Sequence, residues 1–117
     1  MKDDDTTEAG TPRVDKRTGP DRFEIEVDGK VAGFTQFVDH DGSRVFFHTE
    51  VSPEFGGQGL AGTLVRRALD ETRAEELRVV AVCPYVKKYV ETHHDWADLV
   101  DRPTRETLRA IPRGQRR

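Results

Sequence analysis

The chain has 117 residues, of which 34% are hydrophobic and 35% charged, and its formal net charge is -3. This length fits one small domain, and the weakly acidic balance argues against a nucleic-acid-binding protein. Cys83 is the only cysteine, which excludes an intramolecular disulfide and indicates a reducing compartment. The sequence has no apolar run of transmembrane length and no signal-peptide pattern at its acidic start. We therefore expect a cytoplasmic protein that does not enter a membrane.

Apolar residues concentrate in the middle of the chain, so we expect one folded domain over residues 21–103. Residues 1–20 lack apolar periodicity, which predicts a disordered tail. Residues 104–117 are rich in arginine and carry only Leu108 and Ile111 as apolar anchors, which predicts a tail or a frayed helix. A core of this size can gain stability from a second subunit, which leaves a homo-oligomer open.

Three antiparallel strands open the predicted domain, separated by the turn signals Asp28-Gly29 and Asp41-Gly42. They cover residues 23–27, 30–39 and 44–51. Strict alternation of apolar and charged residues marks the first strand. In the second strand the apolar phase is disturbed over residues 33–36, which predicts a β-bulge.

The apolar period then changes to that of a helix, from Leu60 to about residue 76. A continuous apolar run at residues 78–82 predicts a buried strand that lies parallel to an earlier one. Pro84 opens a second helix, which extends to about residue 93. The order of elements predicts an α/β fold with a mainly antiparallel sheet and two principal helices.

Glycines crowd the junction between the third strand and the first helix: Gly56, Gly57, Gly59 and Gly62. Such a loop lets a ligand approach the backbone, and the unpaired amides of the helix start can bind an anion. A Walker phosphate loop and a dinucleotide-binding loop are excluded because their remaining motif residues are absent. From the glycines alone, a phosphate site and a plain strand-to-helix turn stay as alternatives.

Residues 51–65 resemble the acetyl-CoA-binding segment of the GNAT N-acetyltransferase superfamily, and residues 83–96 are similar to the signature of its short single-domain branch. The resemblance implies a splayed strand pair after Val51 through which CoA enters. It also implies that acetyl-CoA is the cosubstrate, with no metal, and that an amine accepts the acetyl group. The acceptor that we expect is an amine on a small molecule or a protein lysine.

The resemblance places the cofactor on one continuous stretch of the chain. The implied cofactor-binding residues are Val51, Gly56, Gly57, Gln58, Gly59, Leu60, Ala61 and Gly62. The superfamily frame falls on Gly56, Gly59 and Ala61, so the Arg or Gln that usually leads it is replaced by glycine. This departure leaves a second hypothesis open, namely a CoA-binding or regulatory module with little or no catalysis.

Two candidates for the chemistry lie in or beside the second helix. Tyr89 occupies a region where many relatives place a tyrosine that protonates the departing thiolate, and its alternative is a structural tyrosine. Cys83 follows a buried strand and precedes a helix start, a position that favours thiolate. Its alternative is a small buried hydrophobe, and direct transfer is favoured over covalent catalysis.

Two further candidates lie on the third strand. His48 and Glu50 share one face there, where either could relay a proton, and a cross-strand surface pair is their alternative. His93 and His94 are adjacent and have no third ligand at suitable spacing, so no metal site is expected. Helix capping next to Trp96 is the predicted role of these two histidines.

Overall fold

A six-stranded sheet carries the part of the chain that the computed structural model describes, residues 12–55 and 59–112. The strands lie side by side in chain order. They are β1 (Arg13–Arg17), β2 (Arg22–Val27), β3 (Lys30–His40), β4 (Ser43–Val51), β5 (Arg78–Ala81) and β6 (Val100–Asp101). The pairs from β1 to β4 are antiparallel, whereas β4–β5 and β5–β6 are parallel. The predicted α/β fold with a mainly antiparallel sheet is confirmed.

Two principal helices follow β4 and β5, as expected, and a third, short helix follows β6. They are α1 (Leu60–Ala74), α2 (Pro84–Thr92) and α3 (Arg105–Ala110), and 3-10 turns cover Pro53–Phe55 and His94–Leu99. Helix α1 ends before the predicted residue 76 because Glu76 adopts a left-handed conformation with φ 60° and so reverses the chain. Among the residues described, no helix is long and apolar enough to cross a membrane.

Both faces of the sheet are covered by apolar side chains, although unequally. The larger cluster lies between the sheet and the helices α1 and α2, and we call this side the helix face. It includes Phe23, Ile25, Phe46, Leu64, Leu69, Val79, Val86 and Trp96. The smaller cluster lies on the opposite side, the open face, where Ile111 packs with Val45, Phe47 and Val80.

The structure extends beyond both ends of the predicted domain. Strand β1 begins at Arg13, inside the segment predicted as a tail, and pairs with β2 along its whole length. Apolar periodicity could not reveal it, because main-chain pairing and the ion pairs of Lys16 and Arg17 hold it instead. At the other end, α3 is capped by reciprocal hydrogen bonds between Thr104 and Thr107. The C-terminal segment is therefore anchored up to Ile111 rather than frayed.

Two bulges interrupt the sheet, and neither lies within residues 33–36. The register shift between β2 and β3 makes Ala32 the extra residue, and the shift between β3 and β4 makes Phe47 the extra residue. The disturbed apolar pattern has another cause, since the fully buried position of Thr35 puts a hydroxyl where the alternation expects an apolar side chain.

The parallel pair β4–β5 separates earlier along β4 than the sequence indicates. Pairing runs from Ser43 opposite Arg78 to Phe46 opposite Ala81 and then stops. The Phe46 carbonyl accepts hydrogen bonds from the amides of both Val82 and Cys83, each over 2.9 Å. The bulge at Phe47 then directs β4 away. The splayed strand pair therefore opens at Phe47 and not after Val51.

Candidate functional site

The start of helix α1 carries main-chain amides that have no acceptor within the helix. Its N-cap residue, Gly59, is left-handed with φ 70°, makes no side-chain cap, and is followed by a first turn without an acidic residue. Helix geometry leaves the amides of Leu60, Ala61 and Gly62 without an intrahelical acceptor. The aligned peptide dipoles add partial positive charge there. This end of α1 fits an anion such as a pyrophosphate, while Gly56, Gly57 and Gln58 lie outside the described residues.

Strand β4 continues past the end of its pairing with β5. Within the ranges described, no strand pairs with β4 on the β5 side after Phe46. On its other side, β4 lies very close to β3 at Gly33, which pairs with Val51. The edge around Glu50 and Val51 can therefore hydrogen-bond an extended ligand.

Tyr89 packs against the first turn of α1. A Cβ atom added at Gly62 would lie 3.8 Å from the edge of the Tyr89 ring. The same ring stacks on His93, with ring centroids 4.0 Å apart. Burial raises the pKa of Tyr89 above its usual value of 10.0, and the nearby Arg66 opposes this shift. The phenol therefore keeps its proton at neutral pH.

The two adjacent histidines end helix α2. The backbone amide of His93 donates to the Tyr89 carbonyl over 2.9 Å, and the His94 ring nitrogen Nε2 lies 3.0 Å from the Glu91 carbonyl oxygen. Both contacts use main-chain oxygens at the end of the helix, as the predicted capping role requires. No cluster of three or more metal-ligating side chains occurs in the described part of the chain.

Cys83 is buried on the helix face, with 3% of its surface exposed. Its thiol donates a hydrogen bond to the Thr49 hydroxyl over 3.1 Å, and that oxygen lies 2.9 Å from the Thr35 hydroxyl. Thr35 and Thr49 are site residues that sequence reasoning missed. The available signal was a pair of threonines at inward positions of the second and third strands, level with each other in the register.

His48 and Glu50 lie on the opposite side of the same strand, the open face. The imidazole Nε2 is 2.7 Å from Glu50 Oε2, and the two side chains are 40% and 62% exposed. The ring of Phe34 lies 5.9 Å from that of His48. The structure thus places the two residues together, at the surface, where an imidazole and a carboxylate can meet an incoming cation or accept its proton.

The gap between β4 and β5 consequently has two chemically different sides. On the helix face lie the hydrogen-bonded Cys83 and the phenol of Tyr89, which packs against the first turn of α1. On the open face lies the exposed His48–Glu50 pair. A ligand that carries both an anionic group and a reactive carbonyl can enter from the first side, and a second reactant from the other.

Comparison with known proteins gives three kinds of likeness. Residues 22–99 match the family model described as GCN5-related N-acetyl-transferase. The human Protein NATD1 is 31% identical over 87 residues, which cover 72% of this chain and 77% of that protein. A GCN5-like protein from Staphylococcus aureus, solved by NMR, superposes with a TM-score of 0.59 at 22% identity, covering 78% of this chain and 91% of its own.

A crystal structure with a stated acceptor shares the same fold. The ribosomal-protein-S18-alanine N-acetyltransferase from Escherichia coli superposes with a TM-score of 0.53 at 20% identity, covering 61% of this chain and 49% of its own. At this identity the likeness concerns the fold alone.

Proposed function

The chain belongs to the GCN5-related N-acetyltransferase family, and on that premise we propose that it transfers the acetyl group of acetyl-CoA to an amine. One observation carries the proposal. Strand β4 leaves β5 after Phe46, and Tyr89 of the helix that follows β5 packs against the first turn of α1, whose N-cap, Gly59, has no side-chain cap. Acetyl-CoA supplies an activated thioester, and the chain supplies the surface that holds it.

The fit to the cosubstrate rests on main-chain groups. The amides from Gly59 to Gly62 would hold the pyrophosphate through charge-assisted hydrogen bonds, together with the loop residues Gly56, Gly57 and Gln58. The free edge of β4 at Glu50 and Val51 would pair with the pantetheine arm. Main-chain donors do this work because position 56 is a glycine and contributes no side chain.

The transfer step requires one base and one acid. A neutral amine attacks the thioester carbonyl, so a C–N bond forms, the C–S bond breaks, and the thiolate leaves. In this proposal the His48–Glu50 pair on the open face accepts the proton of the amine. Tyr89 donates the proton that the thiolate receives. The raised pKa of Tyr89 keeps that proton available. Cys83 uses its thiol as a donor to Thr49, which favours direct transfer over a covalent intermediate.

The acceptor approaches from the open face in this proposal, because the cosubstrate occupies the helix face. His48 and Glu50 are exposed there and attract a cationic amine. We propose a primary amine as the acceptor, on a small molecule or on a protein lysine.

The test measures release of free CoA thiol from acetyl-CoA in the presence of small amines and lysine peptides. Removing a single proton-transfer group lowers rates by about a hundredfold or more, so Tyr89→Phe should lower kcat to that extent. Cys83→Ala, the matched control, should retain most of the activity. Loss of all activity in Cys83→Ala would indicate a covalent route instead.

Binding separates the proposed enzyme from the alternative module. Calorimetry should detect binding of CoA and of acetyl-CoA to the wild-type chain. Binding without turnover on any acceptor would favour a CoA-binding or regulatory module. Absence of heat with either ligand at millimolar concentration would refute the CoA site itself.

A further inference from the structure

The narrow end of the gap between β4 and β5 is filled by side chains that direct transfer does not use. Beyond the two amides that share the Phe46 carbonyl, a side-chain hydrogen bond joins the two sides, from Cys83 Sγ to Thr49 Oγ1 over 3.1 Å. Thr49 Oγ1 lies 2.9 Å from Thr35 Oγ1. We call this group of Thr35, Thr49 and Cys83 the Thr–Cys bridge.

The Thr–Cys bridge is held firmly from both sides of the gap. Thr35 stands directly opposite Thr49 in the β3–β4 register and is fully buried. Cys83 is fixed by its backbone amide on Phe46 and by its place at the start of α2. It also belongs to the same buried cluster as Val86. An added methylene group among close-packed side chains of this kind forces them to move, which costs free energy.

We propose that the Thr–Cys bridge restricts the transferred acyl group to the size of acetyl. The inference rests on the proposed function, because it assumes that the acyl end of an acyl-CoA points into this gap from the side of Val51. A longer chain would reach the closed end, where its additional methylene groups must displace Thr49 or break the bond to Cys83. Thr49 is thus a specificity-determining residue for the donor.

The first experiment compares binding of CoA, acetyl-CoA and butyryl-CoA to the wild-type chain by calorimetry. One methylene in a shaped pocket changes selectivity by about tenfold or more. We therefore expect CoA and acetyl-CoA to bind comparably and butyryl-CoA to bind at least about tenfold more weakly. Equal affinity for acetyl-CoA and butyryl-CoA would overturn this inference alone, whereas failure of all three to bind would overturn the proposed function.

The second experiment separates size from hydrogen bonding. Thr49→Ala removes volume at the closed end, so the affinity for butyryl-CoA should rise by about tenfold towards that for acetyl-CoA. Thr49→Val keeps nearly the same volume without the hydroxyl and should still exclude butyryl-CoA. Equal relaxation in both variants would show that size does not set the limit.

Thermal denaturation checks that each variant is folded. If Thr49→Ala does not fold, Thr49→Ser replaces it, since it removes only a methyl group and keeps the hydroxyl. It should give an intermediate gain in butyryl-CoA affinity, and the absence of any gain would contradict the proposal.

Discussion

Gly33 allows strands β3 and β4 to approach closely where the proposed pantetheine edge begins. A Cβ atom at this position would lie 2.6 Å from the Glu50 carbonyl oxygen and 2.9 Å from Val51 Cγ2. The first of these atoms belongs to the backbone and cannot rotate away. Any side chain at position 33 must therefore push β4 out of place.

Gly33→Ala should accordingly destabilise the protein by about 1–3 kcal/mol, the usual cost of overpacking. Gly62→Ala is the matched control, because its Cβ would meet only Tyr89 at 3.8 Å and alanine favours a helix. Urea denaturation of both variants checks the prediction. A Gly33→Ala protein as stable as the wild type would mean that β4 moves freely at this point.

Turn chemistry at the residue scale was predictable from the sequence, whereas buried polar contacts were not. Both Asp-Gly pairs form the expected hairpin turns, with φ 54° at Asp28 and 51° at Asp41, because few residue pairs tolerate such angles. The hydrogen bond from Cys83 to Thr49 joins residues far apart in the chain. Local sequence patterns do not indicate contacts between distant residues. The sequence therefore identified Cys83 as a candidate but could not identify its hydrogen-bond partner.

At the scale of elements, several side-chain hydrogen bonds link α1 to the 3-10 turn that follows α2, and one of them satisfies a buried indole. The indole Nε1 of Trp96 donates to Asp70 Oδ1 over 3.0 Å, and Trp96 is 4% exposed. Asp70→Ala leaves this buried donor unpaired and should cost about 1–3 kcal/mol. Asp70→Asn keeps an acceptor and should recover most of the loss. Equal loss in the two variants, measured by thermal denaturation, would contradict this role of the hydrogen bond.

Helix α3 and the following residue, Ile111, cover the apolar side chains on the open face. Ile111 is 2% exposed, whereas Leu108 on the same segment is 41% exposed. Ile111→Ala should therefore destabilise the protein by about 2–5 kcal/mol, and Leu108→Ala should change its stability by less than about 0.5 kcal/mol. Chemical denaturation measures both. Similar effects would indicate that the segment detaches from Val45 and Val80 in solution.

The elements that the sequence predicted well are those whose apolar stripe matches their burial. Helix α1 buries Leu60, Leu64, Val65, Ala68 and Leu69, the residues that defined its period. Strand β1 and helix α3 each bury few apolar side chains, so periodicity gave no signal for them. Main-chain pairing holds the first, and the Thr104–Thr107 cap holds the second.

At the scale of the whole molecule, a charged network ties the sheet to the end of helix α1. Arg44 is 1% exposed, and its guanidinium lies 4.3 Å from the ring centre of Phe37. It donates to Asp39 and, over 2.9 Å, to Glu75 Oε1. Lys16 of β1 donates to the same glutamate over 2.8 Å. The network thus connects β1, β3, β4 and α1.

This network predicts how stability depends on pH. The hydrogen bonds from Arg44, and then from Lys16, lower the pKa of Glu75 from 4.5 to about 2. Because the folded pKa lies below the unfolded one, the contribution of Glu75 is fully present above pH 4.5 and is lost as the pH falls towards about 2.

On acidification, the free energy of unfolding of Glu75→Gln should therefore fall less than that of the wild type. Its free energy of unfolding should be lower than that of the wild type at neutral pH, and the difference should shrink as the pH falls through the window between the two pKa values. Urea denaturation across that window measures both curves. Glu71→Gln, at an exposed position of the same helix, is the control and should follow the wild-type curve. A constant difference between Glu75→Gln and the wild type would show that the contact with Arg44 does not depend on the charge of Glu75.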